Sequence, residues 1–218
     1  MELILKYFPE ISQRQKEQFI LFEKLISEWN QKINLISRKE IPFICERHIL
    51  HSLAIARIIS FHSGTKVLDV GTGGGFPGIP LAILFTGSRF ELVDSIGKKI
   101  KVVNDIIQKL NLSNCAATNT RVENLNSKYD FIVSRAVTSF PKFHEWTRNR
   151  LNTSNHQNLI KNGILYLKGG DLDEEMRPFK GKYKEYFISD FFREDFFNTK
   201  KIIYFPFTNK KSYKAHLL

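Results

Sequence analysis

The sequence predicts an open, mostly parallel α/β sheet that follows an N-terminal helical cap, and three observations support this fold class. Apolar residues recur at helical spacing through the first sixty residues. From residue 66 onward, short runs rich in β-branched residues alternate with helical stretches. A glycine-rich turn follows the first of these runs directly. Because alternating strands and helices favour a parallel sheet covered on both faces, we expect a cap over residues 1–62 and one sheet domain over residues 63–218.

Two helices are predicted in the cap from apolar residues spaced three and four apart. The first contains Phe19, Phe22, Leu25, Ile26 and Trp29, and the second contains Ile44, Ile49, Leu53, Ile55 and Ile58. Pro42 lies between the two sets, where its missing N–H suits the start of a helix. The cap is therefore predicted to be helical.

Strands and helices are predicted to alternate after the cap. The strands are 66–70, 89–94, a weaker run at 114–118, 129–134 and 163–168, and the helices between them are 79–85, 98–110 and 141–151. Two strand-like runs at the end of the chain, 184–189 and 201–207, are expected to form an antiparallel edge pair.

The composition is that of a folded, water-soluble protein, with 42% hydrophobic and 25% charged residues. No apolar run approaches the roughly 20 residues of a membrane-spanning helix, and the N-terminus lacks the basic start and cleavage site of a signal peptide. Cys45 and Cys115 lie far apart among apolar neighbours, which indicates free thiols in a reducing compartment. The histidines show no metal-ligand spacing with Cys or Asp. We expect a cytoplasmic protein, monomeric by default, with neither a membrane nor a metal partner.

The formal net charge of +11 favours a nucleic-acid partner, because polyanions bind basic proteins with release of counterions. Lysines that serve only solubility, or lysine usage set by genome composition, explain the same charge equally well. The placement of the charge favours a contact surface, because no acidic residue follows Asp195. The lysines of that tail are Lys200, Lys201, Lys210, Lys211 and Lys214.

The turn from Gly71 to Gly78 is the strongest functional signal in the sequence. Ligands of open α/β sheets bind beyond the carboxyl ends of the strands, and glycines let the backbone approach a cofactor closely. Gly73, Gly75 and Gly78 match the dinucleotide spacing G-x-G-x-x-G, which alone is weak support for a nicotinamide or flavin cofactor. Asp69 favours S-adenosylmethionine, since its carboxylate disfavours a pyrophosphate and suits a positively charged methionine end.

Acidic residues after the next two strands complete the predicted cofactor site. Asp94 ends the second strand, followed by Ser95, and its carboxylate is expected to accept hydrogen bonds from both hydroxyls of a ribose. The loop with Val122 and Glu123 follows the third strand and would border an adenine ring. Lys98, Lys99 and Lys101 fit a solvated helix face better than a site.

The end of the fourth strand, Ser134-Arg135-Ala136, is expected to face the transferred methyl group. This sequence has neither the Pro-Pro-aromatic segment of enzymes that methylate exocyclic amines nor a Pro-Cys nucleophile. A ring nitrogen such as guanine N7 needs no base, so positioning and electrostatics would suffice. Arg135 would then bind the cofactor or contact guanine O6 and N7, although a surface ion pair is the ordinary role of an arginine.

Several segments together resemble the ribosomal RNA small-subunit methyltransferase G family, also called glucose-inhibited division protein B. They are Trp29-Asn30, residues 33–37, Arg47-His48 and the residues to 54, residues 69–81, Leu92-Val93-Asp94-Ser95 with Lys98-Lys99, Arg121-Val122-Glu123, Ser134-Arg135-Ala136 and Leu167-Lys168-Gly169. They stand in the family's order over most of residues 29–170, although His51 replaces a common Asp and the tail matches weakly.

The resemblance implies a Rossmann-like, S-adenosylmethionine-dependent methyltransferase that modifies N7 of one guanosine in small-subunit (16S) ribosomal RNA. It implies cofactor contacts at Gly71, Phe76, Val122, Glu123 and Arg135, with Asp94 near the ribose. It also implies that Arg47, His48, Lys168 and the basic tail face RNA, whether as naked RNA, a 30S particle or an assembly intermediate. From the residues alone, His48 fits a packing role better.

Three other functions compete with this interpretation. A small-molecule methyltransferase would use the same cofactor pocket, and a non-catalytic RNA-binding assembly factor would retain that pocket without using it. A nicotinamide oxidoreductase is disfavoured by Asp69 and by the lack of a catalytic Tyr-Lys or His-Asp pairing.

Overall fold

The computed structural model describes residues 1–153 and 157–207, and its centre is a seven-stranded sheet with the order β3-β2-β1-β4-β5-β7-β6. The strands are β1 Lys66–Val70, β2 Arg89–Asp94, β3 Cys115–Asn119, β4 Phe131–Arg135, β5 Gly163–Gly169, β6 Lys184–Phe187 and β7 Lys200–Pro206. Strands β1 to β5 are parallel, and β7 is antiparallel to both of its neighbours. The predicted Rossmann-like sheet is confirmed, and so is the antiparallel pair at its edge, in which β6 is outermost and β7 joins β6 to β5.

The helices cover the sheet and the start of the chain. They are α1 Glu2–Tyr7, α2 Gln13–Asn30, α3 His51–Leu53, α4 Gly78–Leu84, α5 Gly97–Lys109, α6 Phe140–Thr147 and α7 Asp173–Met176. The helix predicted at 141–151 ends early, because a short 3₁₀ turn follows Thr147. None of the helices within the described ranges is both long and apolar enough to cross a bilayer.

The second cap helix is not a regular α-helix. A 3₁₀ helix, Arg38–Phe43, is followed by a π-helix, Ile44–Leu50, then by α3 and a further 3₁₀ turn. Pro42 was expected to start a helix but lies inside this 3₁₀ helix. Because proline has no N–H, it cannot donate the hydrogen bond that would continue an α-helix through this segment. The apolar side chains of this segment nevertheless face inward, as predicted. Short π-helical turns are frequent at functional sites.

The cap and the sheet share one hydrophobic core. Phe22 and Ile26 of α2 are fully buried, and the Phe22 ring lies 5.2 Å from the ring of Phe76 in the glycine-rich turn. Gln15 donates to the carbonyl of Ile83 over 2.9 Å, which ties the start of α2 to the end of α4. The cap therefore supports the glycine-rich turn from behind.

A groove of about 770 Å³ lies at the amino ends of β1 and β2 and is lined in part by Lys66, Arg89 and Tyr129. Ligands of parallel sheets bind at the opposite, carboxyl ends of the strands. The cofactor residues predicted from the sequence lie at that opposite edge.

Candidate functional site

The glycine-rich turn after β1 depends on backbone conformations that favour glycine. Gly71, Gly73 and Gly75 have φ angles of +71°, +58° and +94°. A side chain on Gly75 would come within 2.5 Å of Ile79 Cδ1, and one on Gly78 would come within 2.7 Å of an oxygen of Asp69. The turn is thus held against α4 and against the Asp69 carboxylate.

Asp69 is fully buried beneath this turn, and only one of its carboxylate oxygens is satisfied. Its Oδ2 accepts from Thr72 Oγ1 at 2.7 Å and from the Gly78 N–H at 2.8 Å, whereas Oδ1 has no partner among the described residues. Burial raises the pKa of this carboxyl to about 7, against the opposing effects of its two hydrogen bonds and of Arg135. A buried acceptor with an unused oxygen suits a cationic ligand, such as the ammonium or sulfonium of S-adenosylmethionine.

Asp94 at the end of β2 shapes the same turn. Its two carboxylate oxygens accept from the N–H groups of Gly73 at 3.0 Å and of Ile96 at 2.8 Å. Each oxygen of a carboxylate accepts more than one hydrogen bond, so the side chain retains capacity for hydroxyl donors. Asp94 therefore orders the cofactor loop and also faces the space in front of it.

A cleft of about 630 Å³, which we name the turn cleft, lies at the carboxyl ends of the parallel strands. Of the predicted cofactor residues, those that line it are Gly71, Asp94, Ser95, Val122, Glu123 and Arg135. The remaining four, Asp69, Gly73, Gly75 and Phe76, do not line it and belong to the turn or to the packing beneath it. The structure thus brings residues from four strand ends to one cleft.

Two lining residues of the turn cleft come from α6 and were not predicted. Lys142 and Trp146 are one helical turn apart, with the Lys142 ammonium 5.3 Å from the Trp146 ring centre. The helix itself is predicted by its apolar spacing, but nothing local indicates that this face overhangs the strand ends. Ile96 and Lys99 at the start of α5 also line the cleft, and Lys99 had been interpreted as part of a solvated face.

Arg135 is held by three contacts behind the turn cleft. Its Nη2 donates to His48 Nδ1 at 2.9 Å, its Nη1 donates to the Arg47 carbonyl at 3.3 Å, and its guanidinium lies 5.0 Å from the Phe76 ring centre. Burial lowers its pKa to about 10, and the carboxylates of Asp69 and Glu40 oppose that shift. Arg135 therefore carries its charge at neutral pH in a fixed position.

His48 is neutral and its tautomer is fixed by Arg135. Burial, followed by the charges of Arg135 and Arg47, lowers the pKa of His48 to about 3. An arginine has only donors, so Nδ1 of His48 must accept and Nε2 must carry the proton. That Nε2 is buried without a hydrogen-bond partner in the described part of the chain, and Glu40 Oε2 lies 3.6 Å away.

A second cavity of about 310 Å³, which we name the basic pocket, lies on the other side of Arg135. Its lining includes Arg47, Arg135, Lys168 and Lys200, and it contains one carboxylate, that of Glu40. Arg135 and Ala136 line both the basic pocket and the turn cleft. Ala136 has a φ of +49°, in the left-handed region that is strained for residues other than glycine. Strained backbone of this kind is often found at functional sites.

A polar network supports the loop that follows β4. The Tyr166 hydroxyl accepts from the N–H groups of Val137 and Thr138, both at 3.0 Å, and donates to the Thr138 carbonyl at 2.8 Å. Lys168 donates to the same carbonyl at 2.9 Å and pairs with Glu175 at 2.8 Å. Lys168, implied as an RNA contact by the resemblance, is thus largely engaged in holding this loop.

The other cations expected to face RNA differ in how free they are. Arg47 pairs with Glu40 at 3.0 Å, and Lys201 pairs with Glu185 at 2.8 Å across β6 and β7. Lys200 has no carboxylate partner within the residues that the structure describes, and its ammonium lies over the Phe196 ring. Lys210 and Lys211 lie outside the described residues. The described ranges contain no group of three or more His, Cys, Asp or Glu side chains that could hold a metal ion.

Comparisons with known proteins match this chain to a family. A family model described as rRNA small subunit methyltransferase G matches residues 15–198. Proteins named ribosomal RNA small subunit methyltransferase G are similar over nearly their whole length. The protein of Flavobacterium psychrophilum is 56% identical over 94% of this chain and 98% of its own, and that of Christiangramia forsetii is 53% identical over 96% and 99%.

Solved structures support the fold alone. An rRNA methylase from Streptococcus thermophilus is 12% identical, with a TM-score of 0.50 over 73% of this chain and 95% of that chain. A variant of MtNAS in complex with S-adenosylmethionine is 14% identical, with a TM-score of 0.54 over 89% and 76%. Both share the mostly parallel sheet with covering helices.

Proposed function

The chain belongs to the rRNA small subunit methyltransferase G family, and from that premise we propose that it methylates N7 of one guanosine in small-subunit ribosomal RNA. Its methyl donor is S-adenosylmethionine, and its substrate class is ribosomal RNA. The observation that carries the finer proposal is the meeting of the turn cleft and the basic pocket at Arg135 and Ala136. A methyl donor in one cavity and a base in the other would meet at the end of β4.

The turn cleft and the buried Asp69 carboxylate beneath the glycine-rich turn fit the cofactor. The unused Oδ1 of Asp69 lies behind the turn as a partner for positive charge, and Asp94 offers oxygens for the ribose hydroxyls. Val122 and Glu123 border the far end, where the adenine would lie. S-adenosylmethionine supplies an electrophilic methyl group on a cationic sulfur, and its transfer neutralises that charge.

The basic pocket supplies orientation for the acceptor, and the one carboxylate in its described lining, that of Glu40, is already paired with Arg47. His48 has a pKa of about 3, and its Nδ1 lone pair is already used by Arg135. Guanine N7 has a lone pair and no proton to lose, so a fixed geometry is sufficient for its attack on the methyl group. Exocyclic amines would need help in deprotonation that these side chains are poorly suited to give.

The test is methyl transfer from radiolabelled S-adenosylmethionine to small-subunit rRNA from a strain that lacks this protein. The RNA is offered both naked and as 30S particles, and nucleoside mass spectrometry identifies the product. We expect 7-methylguanosine, lost in Arg135→Ala and retained in Arg89→Ala, which changes an exposed arginine at the opposite edge of the sheet. A different methylated nucleoside would contradict the N7 assignment, and label on neither RNA nor particle would favour a small-molecule acceptor.

Further parts of the proposal concern where and in what form the protein acts. We place it in the cytoplasm, where small-subunit rRNA is assembled, and its two cysteines are free thiols. A monomer is supported by the exposed large apolar side chains of the described residues, because two of them, Ile96 and Val137, line the turn cleft and the others are scattered. Light scattering after size-exclusion chromatography tests the monomer, for which a mass near 25.4 kDa is expected.

A further inference from the structure

A buried donor and an exposed acceptor stand side by side in the basic pocket. His48 Nε2 carries a proton and has no hydrogen-bond partner among the described residues, and Glu40 Oε2 lies 3.6 Å from it, too far for a hydrogen bond between them. The Glu40 side chain is 29% exposed, so its carboxylate is accessible from the pocket. Its other oxygen, Oε1, pairs with Arg47 at 3.0 Å, which fixes the carboxylate in place.

The contacts around the pair leave one atom of each group unused: His48 Nε2 has no hydrogen-bond partner among the described residues, and Arg47 engages only Oε1 of Glu40. A buried N–H without a partner costs folding free energy, so such groups are rare unless a ligand completes them. Among the described residues that line the pocket, Glu40 is the only carboxylate beside four cations, and a phosphate-binding surface would gain from its absence. The pair therefore suggests a ligand that needs one donor and one anionic acceptor together.

The Watson–Crick edge of guanine is complementary to this pair. Its O6 accepts a hydrogen bond, and the neighbouring N1–H and 2-amino group donate hydrogen bonds. Adenine presents a donor and then an acceptor at the corresponding positions, so both of its contacts would be repulsive. Protein side chains read splayed-out RNA bases through this edge. In guanine, N7 lies next to O6 on the opposite side from N1, which would direct it towards Arg135 and the turn cleft.

We propose that His48 and Glu40 select guanine, with His48 Nε2–H donating to O6 and the Glu40 carboxylate accepting from N1–H and the 2-amino group. This inference rests on the proposed function and adds to it the residues that choose the base. Arg135 positions His48 from behind and Arg47 positions Glu40 from the side, so the reading pair is fixed before RNA binds. Because Glu40 is outside every family segment quoted above, the sequence alone gave no signal for this role.

The experiment compares two RNA substrates that differ by one amino group. Small-subunit rRNA is built by splinted ligation with either guanosine or inosine at the modified position, and kcat/KM is measured for each. Inosine keeps N7, O6 and N1–H but lacks the 2-amino group. For the unaltered protein we expect guanosine to be preferred by about 10- to 100-fold, the size of one hydrogen bond to a charged group.

The variant Glu40→Ala should methylate both RNAs equally, at a reduced rate, because the carboxylate that reads the 2-amino group is gone. Glu46→Ala, a matched change in the π-helix that follows and outside the pocket lining, should keep the guanosine preference. Thermal unfolding of both variants checks that each is folded.

Equal losses on both RNAs, with the guanosine-to-inosine ratio unchanged, would show that Glu40 only supports the fold and would overturn the inference. If the unaltered protein methylates guanosine RNA but does not distinguish inosine, the inference fails and the proposed function stands, whereas no product from guanosine RNA refutes both.

Discussion

At the scale of single residues, Asp69 has the environment least like that of an ordinary carboxylate. Burial raises its pKa to about 7, so it is partly protonated near neutral pH when no ligand is bound. A cationic ligand binds the ionised form, and binding must then release a proton. The same residue therefore links folding, cofactor affinity and pH.

We expect S-adenosylmethionine to bind about tenfold more weakly at pH 6 than at pH 8, because one pH unit below the pKa costs one factor of ten. The effect on unliganded stability has the opposite sign. Since the folded pKa of Asp69 lies above the unfolded value, its contribution is fully present below about pH 4 and is lost as the pH rises through about 7. Calorimetric binding and urea unfolding at several pH values measure the two effects.

The control for this prediction is Asp69→Asn, whose amide oxygen can still accept from Thr72 and Gly78. In that variant both pH dependences should flatten between pH 5 and 8, and cofactor affinity should be low throughout. A variant with the same pH dependence as the unaltered protein would assign the titration to another group. His48 is not that group, because its pKa of about 3 leaves it neutral over the whole range.

At the scale of elements, the ends of β4 and β5 act together. The loop after β4 lines both cavities, and its backbone is held by the Tyr166 hydroxyl of β5. This arrangement explains how a strained Ala136 persists, because the neighbouring backbone groups are already bonded. The site therefore depends on a side chain that contacts neither predicted ligand.

Tyr166→Phe should lower the free energy of unfolding by about 1–3 kcal/mol, because two backbone N–H groups lose their acceptor. It should also raise KM for the cofactor, since Val137 borders the turn cleft. Tyr204→Phe is the matched control: its hydroxyl makes one bond, to the Lys161 carbonyl at 2.7 Å, away from both cavities. Steady-state kinetics and urea unfolding of both variants check this. Equal KM values for the two variants would show that the hydroxyl of Tyr166 does not position the loop.

The elements also show what the sequence can and cannot predict. Every strand is predicted to within two residues, because buried parallel strands are short continuous apolar runs bounded by turn residues. The glycine-rich turn, Asp94 and Arg135 are predicted because each directly follows a strand, and strand ends meet at one edge of a parallel sheet.

The contributions that depend on packing are not predicted. Three side chains that line the cavities come from elements other than the strand ends. Glu40 lies on a 3₁₀ helix, Phe196 on a distant turn and Trp146 on one face of α6, and no local sequence pattern predicts their role. The change from α to 3₁₀ and π geometry over residues 38–57 is also missed, because apolar spacing cannot distinguish these helix types. Pairs such as Lys201 with Glu185 require the strand register.

At the scale of the whole molecule, we propose that the cap is an integral part of the core and does not fold apart from the sheet. Its buried residues join those of α4 and α5 in one cluster.

Phe22→Ala should therefore cost about 3–5 kcal/mol of stability and reduce activity, because Phe22 packs on Phe76 behind Arg135. Ile20→Ala, on the exposed side of the same helix, should change stability by about 0.5 kcal/mol or less. Chemical unfolding and methyl transfer measure both, and similar small effects would indicate a cap that is only attached to the sheet.

We expect the net charge of +11 to act on RNA through the cations that lack carboxylate partners, and two adjacent lysines test this expectation. Lys200 lines the basic pocket without a carboxylate partner among the described residues, whereas Lys201 points to the other face of β7 and pairs with Glu185.

If Lys200 contacts a phosphate, Lys200→Ala should weaken RNA binding and reduce the slope of log K against log salt by about 0.7–0.9, the release of one counterion. Lys201→Ala removes the same charge and should leave the slope nearly unchanged, because its ammonium is already neutralised. RNA binding measured by fluorescence anisotropy over a range of salt concentrations gives both slopes. Equal changes would mean that RNA responds to the total charge of the protein and not to the pocket at which Lys200 lies.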